Sequence, residues 1–341
     1  MPAWPDHIRG ARCAAARGRP GEGRRARRGR PPGPAGAEPV ATFVLVHGAW
    51  GGAHGFGKVR RLLQSAGHEV FTPSLTGIGE RAHLASPQVC LTTHIADVAN
   101  AVLYEDLRGI VLLGFSYGGL VITGALEHIA DRVSHLVYLD AFVPADGESL
   151  DAISGAAGRA AAIGPGAGWL VPPLPRDFDD PADGAWSAAR RTAHPARCFS
   201  EPVRLARPLE GYPFTRTYIK ASAEPRAEPA GPFWAAADRA RNSPAWRYRE
   251  VATTHMVPSN RPGDLASLLT ELAAMDPPPA SPGGQAGQEQ GHARSRPPTA
   301  QPLSPGGDAD SHRQEQGHAR GHRPTAQQLS PGGEVDSHRQ E

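Results

Sequence analysis

Between residues 40 and 275 the chain alternates short, solidly apolar runs with longer segments whose apolar residues recur every three or four positions. Thr42-Phe43-Val44-Leu45-Val46, His68-Glu69-Val70-Phe71, Ile110-Val111-Leu112-Leu113, Leu136 to Leu139, Thr217-Tyr218-Ile219-Lys220 and Trp246 to Val251 read as strands. Continuous apolar runs bounded by turn residues are the pattern of strands covered on both faces, as in a parallel sheet. Gly57 to Ala66 reads as an amphipathic helix, with Val59, Leu62, Leu63 and Ala66 on one face and Gly67 placed as its C-cap. His94 to Tyr104, Leu120 to Ala130, Phe233 to Ala240 and Leu265 to Ala274 read as further helices. Strand-helix alternation of this kind predicts an α/β domain with right-handed crossovers. Residues 145–212 break the alternation with Trp169, Pro172-Pro173, Pro175 and Trp186. An excursion of this length between core strands is expected to form a cap whose apolar residues roof a pocket.

Composition narrows the picture at both ends. The 341 residues include 40 Gly and 35 Pro, and much of this lies outside the periodic region. Residues 1–39 carry Arg24-Arg25-Ala26-Arg27-Arg28-Gly29-Arg30 in a Pro/Gly/Ala-rich setting, expected to be a disordered basic extension. No apolar centre follows this basic run, as a secretory leader would require. In residues 276–341, Gln288-Glu289-Gln290-Gly291-His292-Ala293-Arg294 returns as Gln314-Glu315-Gln316-Gly317-His318-Ala319-Arg320. This repeat has almost no large apolar residues, so the tail is expected to be disordered. The formal net charge is only +2, and no nucleic-acid partner is expected. Cys13, Cys90 and Cys198 are odd in number and without metal-ligand spacing, which suits a reducing cytoplasm rather than a disulfide framework. No apolar run is long enough to span a membrane, and none is expected as a partner.

The candidate chemistry centres on one bend. Ile110 to Leu113 runs into Gly114-Phe115-Ser116-Tyr117-Gly118-Gly119, followed by a helical segment. Gly-x-Ser-x-Gly between a strand and a helix is the pattern of a nucleophile turn, which lifts a serine hydroxyl above the sheet edge at a helix N-terminus. An earlier strand ends in His47-Gly48-Ala49-Trp50, where architectures of this kind place a second anion-binding amide. The amides of Ala49 and Tyr117 are the two candidates for that role. His255, just after the last strand, supplies a base in the order Ser…acid…His. Asp140, at the C-terminal end of its strand, is the first candidate acid, and Glu224 and Glu228 are the alternatives. His83 and His94 read as structural or solvated histidines.

Phe43 to Trp50, Thr72-Pro73-Ser74-Leu75-Thr76-Gly77-Ile78-Gly79-Glu80-Arg81, Gly114 to Gly119 and His135 to Pro144 together resemble bacterial α/β-hydrolases, similar to the plant methylesterase and hydroxynitrile lyase branch. The resemblance covers about residues 40–275. It implies the α/β-hydrolase fold with an eight-stranded, mostly parallel sheet, helices on both faces and a small helical cap. It also implies no cofactor and no metal, and hydrolysis of a small-molecule ester through Ser116, His255 and an acid. A carbon–carbon lyase on the same residues and a non-catalytic small-molecule receptor are the alternatives, and the oligomeric state is left open. Relatives often carry His before the nucleophile, where this chain has Phe115. Plant-type relatives carry an aspartate where this chain reads Ala221 to Glu228, which keeps the identity of the acid open.

Overall fold

The computed structural model describes residues 40–155, 168–227 and 230–275. Its main sheet contains six strands: β1 (Thr42–Val46), β2 (Glu69–Phe71), β3 (Ile110–Phe115), β4 (Val133–Leu139), β7 (Thr215–Ala221) and β8 (Arg247–Val251). Their order is β2-β1-β3-β4-β7-β8, and every pairing is parallel. These are the six runs that the apolar pattern picks out. The resemblance implied eight strands, and six is the corrected count among the described residues.

Each face of the sheet buries its own core, as the two-sided apolar runs demand. Val44, Leu112, Leu136, Tyr138 and Tyr218 point to one side. They pack there with residues of helices α2 (Leu91–Tyr104), α3 (Gly118–Ile129) and α7 (Pro232–Arg241). Phe43, Leu45, Leu113, Val137 and Ile219 point to the other, against α1 (Gly57–Ser65) and α8 (Pro262–Met275). The one-residue offset between the two sets is the strand period of two at work.

Several boundaries differ from the sequence reading for local reasons. Helix α2 begins at Leu91 rather than His94, because Cys90 and Thr93 exchange hydrogen bonds in a capping box. Helix α3 starts two residues early, directly out of the serine bend. Ala66 is the cap of α1, and Gly67 follows at φ 90. The amides of Gly67 and His68 close onto the carbonyls of Gln64 and Leu63, a Schellman pair that needs a left-handed residue.

The excursion between β4 and β7 is only partly helical. It holds α4 (Leu150–Ser154), α5 (Pro181–Ala188) and α6 (Arg197–Ser200), and also a two-stranded antiparallel ribbon, β5 (Leu170–Val171) with β6 (His194–Pro195). The expected extensions, residues 1–39 and 276–341, lie outside the described residues. Among the described residues no helix is long and apolar enough to cross a membrane.

Candidate active site

Three strands end in a non-glycine residue with positive φ or a loop that contains one. Trp50 (φ 62) follows β1, Ser116 (φ 57) follows β3 and Asp140 (φ 40) follows β4. Such conformations are costly for residues with a Cβ and persist where the surroundings over-determine them. At Ser116 the cause is visible. The Ser116 amide donates to Leu139 O at 3.2 Å, and the Ser116 carbonyl accepts from Gly119 N and Phe142 N at 3.1 and 3.2 Å. A Cβ on Gly114 would lie 2.5 Å from Gly118 O, and one on Gly118 would lie 2.6 Å from Val46 O. The glycines of the motif are therefore what lets strand, bend and helix close on one another.

The bend aims Ser116 Oγ at His255. His255 Nε2 is 3.0 Å from Ser116 Oγ, and its Nδ1 is 2.7 Å from Asp140 Oδ2. With Nδ1–H donated to the carboxylate, Nε2 carries the lone pair that accepts from the hydroxyl. The ring lies between Phe233, stacked at 4.9 Å, and Phe115, tilted at 4.8 Å. Burial pushes the His255 pKa down, and Asp140 offsets this only in part, so the ring stays below its ordinary 6.5. Burial alone would raise the Asp140 carboxyl. Its hydrogen bond to His255, the charge of His255 and the charge of Lys220 outweigh that and hold it below 3.8.

Lys220 escaped the sequence reading as a site residue. It and Asp140 are both fully buried, and Nζ donates to Asp140 Oδ1 at 2.8 Å and to Ala221 O at 2.7 Å. Nζ also sits 4.4 Å from the Trp234 ring centre. The signal was present: a lysine closing a strand otherwise built to be covered on both faces. Of the alternative acids, Glu224 accepts from the backbone N–H of His255 at 2.7 Å and does not reach the ring in this way. Glu228 lies outside the described residues.

The amides of Ala49 and Tyr117 flank Ser116, and no acceptor takes either one up among the described residues. Trp50 fixes the Ala49 loop through the cap. Its amide donates to His194 Nδ1 at 3.3 Å and its indole N–H to Val171 O at 3.0 Å. Its carbonyl accepts from Thr192 N at 3.0 Å. The Thr72 to Arg81 stretch braces the same loop from below. Glu80 accepts from Ser74 Oγ at 2.6 Å and from Ala53 N at 3.1 Å, and Leu75 N donates to His47 Nε2 at 3.1 Å.

Behind Tyr117 lies a second buried cluster. His94 Nδ1 accepts from Tyr117 Oη at 2.9 Å, and its Nε2–H donates to Thr76 O at 2.8 Å. His94, His194 and Cys198 bring their ligand atoms within 4.8 Å of one another. This set does not fit a metal. Burial keeps His194 neutral, and the Trp50 amide occupies its Nδ1 lone pair, so Nε2 carries the proton and has nothing to donate to a cation. His94 Nε2 is likewise committed to Thr76. His83 sits at the end of a 3-10 turn on the surface side of the same loop.

A cavity of about 160 Å³ opens beside Ser116, walled by Trp50, Tyr117, Phe142, Val171, Phe199 and Phe233, with Asp151 and Arg176 also in its lining. A second hollow on the other side of Ser116 is bounded by Arg176, Arg191, Trp186 and His255.

The sequence matches the model of the alpha/beta hydrolase family over residues 43–320. It is 37% identical over 247 residues to a carbendazim hydrolyzing esterase of Nocardioides sp. (strain SG-4G), a match that takes in 68% of this chain and 100% of the relative. It is 34% identical over 108 residues to an alpha-hydroxynitrile lyase of Arabidopsis thaliana, spanning 30% of this chain and 40% of that protein. Among solved structures, an extracellular alpha/beta-hydrolase from a Paenibacillus species superposes with a TM-score of 0.58 at 24% identity, covering 68% of this chain and 98% of that one. That likeness concerns the fold.

Proposed function

The chain belongs to the alpha/beta hydrolase family, and on that premise we propose that it is an esterase using Ser116 as nucleophile, His255 as base and Asp140 as the acid that orients it. The observation that carries this reading is the unbroken line of hydrogen bonds from Asp140 through His255 to Ser116, ending beside a cavity. The carbendazim esterase, similar along its whole length, supports an ester as the substrate.

The chemistry follows from the geometry. A serine hydroxyl is a poor nucleophile at neutral pH, and a neutral imidazole in hydrogen-bond reach removes that obstacle. As Oγ bonds to the ester carbonyl carbon, its proton passes to His255 Nε2. The carbonyl oxygen becomes an anion, held by the amides of Ala49 and Tyr117. Donors of this kind contribute about 10²- to 10³-fold each. Asp140 stabilises the imidazolium without taking its proton. The carbon–oxygen bond to the alcohol then breaks, and Nε2–H protonates the leaving oxygen. A water molecule repeats the sequence on the acyl-serine and releases the acid.

A fluorophosphonate probe together with a p-nitrophenyl butyrate assay tests the proposal. The expected result is a label on Ser116 that Ser116→Ala abolishes, with hydrolysis falling by at least about 10⁴-fold. Unchanged hydrolysis in Ser116→Ala would end it. Labelling without turnover of any ester would favour the lyase alternative.

A further inference from the structure

Arg176 is a half-buried guanidinium at the junction of the two hollows that meet at Ser116. Lys220, Glu80, Glu224 and Arg191 each have an assigned partner. Lys220 is paired with Asp140, Glu80 is held by Ser74 and the Ala53 amide, and Glu224 takes the His255 amide. Arg191, beside Arg176, donates to Leu174 O. Arg176 has no hydrogen bond and no carboxylate within ion-pair distance among the described residues. Asp140, Glu224 and Asp177 act on it only at longer range, and Arg191 repels it. The second hollow contains both arginines and no acidic residue. A partly desolvated guanidinium without acceptors is costly, and a ligand that brings a planar oxyanion removes that cost.

We propose that Arg176 is the specificity residue of this site and binds a carboxylate on the substrate, so that the preferred esters are anionic. The inference rests on the esterase reading and names its substrate class. The first cavity, mostly apolar but also lined by Asp151, is close in size to one that holds a single benzene ring. A compact ring therefore sits against Phe142, Phe199 and Phe233, and the charged group projects past Ser116 onto Arg176 and Arg191. Because the guanidinium contacts the bound ester before and during reaction, its effect falls mainly on KM.

The test uses the full chain and two matched substrate pairs: 3- and 4-acetoxybenzoate against 3- and 4-acetoxybenzamide. The wild-type protein is expected to prefer at least one anionic ester over its amide partner by ten-fold or more in kcat/KM, with the preference weakening as salt is added. Arg176→Gln is expected to bring the ratio to within three-fold of unity, and Arg176→Lys to restore part of it. Calorimetry on Ser116→Ala provides a readout without turnover, with benzoate expected to bind more tightly than benzamide and to lose that advantage in Ser116→Ala/Arg176→Gln. A ratio near unity in the wild type, or equal losses on both members of a pair in Arg176→Gln and Arg176→Lys, would overturn the inference while leaving the esterase reading in place. Arg176-dependent benzoate binding by a protein that cleaves none of the esters would sink the esterase reading and keep the anion subsite.

Discussion

Two buried histidines, His255 and His94, sit on opposite sides of the Ser116–Tyr117 bend and differ in nearly everything except burial. Both touch the bend by a hydrogen bond, His255 to the Ser116 hydroxyl and His94 to the Tyr117 hydroxyl. Both are depressed by desolvation, His94 to about 4. His255 has a carboxylate on its far nitrogen and a cavity at its near one. His94 has a backbone carbonyl on its far nitrogen and closed packing around it. A carbonyl can orient a ring but cannot stabilise an imidazolium as a charged carboxylate does. Burial thus makes a histidine neutral, and the partner on the second nitrogen decides whether it can usefully accept a proton.

The comparison breaks most visibly at the rings themselves. His255→Ala is expected to lower kcat/KM for p-nitrophenyl butyrate by about 10⁴-fold or more, whereas His94→Gln stays within about ten-fold. The second change should instead act on stability. His47 and His94 both titrate near 4 in the folded chain, against 6.5 for the free group. As pH falls from 6.5 to 4 the unfolded chain takes up these protons first. The stability present above 6.5 is lost across that window, by about 3 kcal/mol for each ring. Urea midpoints measured from pH 7.5 to 4 should therefore fall more gently in His94→Gln than in the wild type.

Next comes the carboxylate. Asp140→Asn is expected to cost about 10³- to 10⁴-fold in kcat, because the amide cannot hold the same tautomer or stabilise the charged ring. Glu224→Gln, which keeps an acceptor for the His255 amide, is expected to cost less than about ten-fold. The reverse ranking would hand the acid's role to Glu224.

The smallest effect belongs to Lys220. The reaction needs neutral His255, so kcat/KM should be flat above pH 6.5 and decline below it, since the ring titrates under its ordinary value. Removing the Lys220 charge makes the imidazolium easier to form. Lys220→Met should therefore move this acid limb upward, with a loss of about ten-fold or less at the plateau. An unmoved limb would reduce Lys220 to a packing role.

The strands and the bend were readable because their constraints are local. A strand covered on both faces must be apolar throughout, and a bend in which a Cβ would strike the next turn must be glycine, as at Gly114 and Gly118. Ser116, Asp140 and His255 could be picked out because each stands at the end of a strand that the pattern already located. The acid was harder to choose among three carboxylates, since strand ends converge only once the sheet order brings β4 beside both β3 and β7. Arg176, His194 and the β5–β6 ribbon carry no periodic signal. The positions of His194 and the ribbon are set by contacts with the Trp50 loop, more than 100 positions away in the chain. The strand count showed the opposite risk, where the resemblance said eight and the apolar runs themselves said six.

Trp50 is held at its amide, its indole and its carbonyl by three different positions of the cap, and Thr192 Oγ1 also accepts from Gly79 N at 2.8 Å. The roof and the floor of this pocket are consequently one mechanical part. A chimera that swapped residues 170–195 for those of a relative would change more than the shape above the ester, because it would also loosen the Ala49 amide. Altering the preference of such an enzyme by grafting its cap alone should therefore cost rate as well, unless the Trp50 loop travels with the graft.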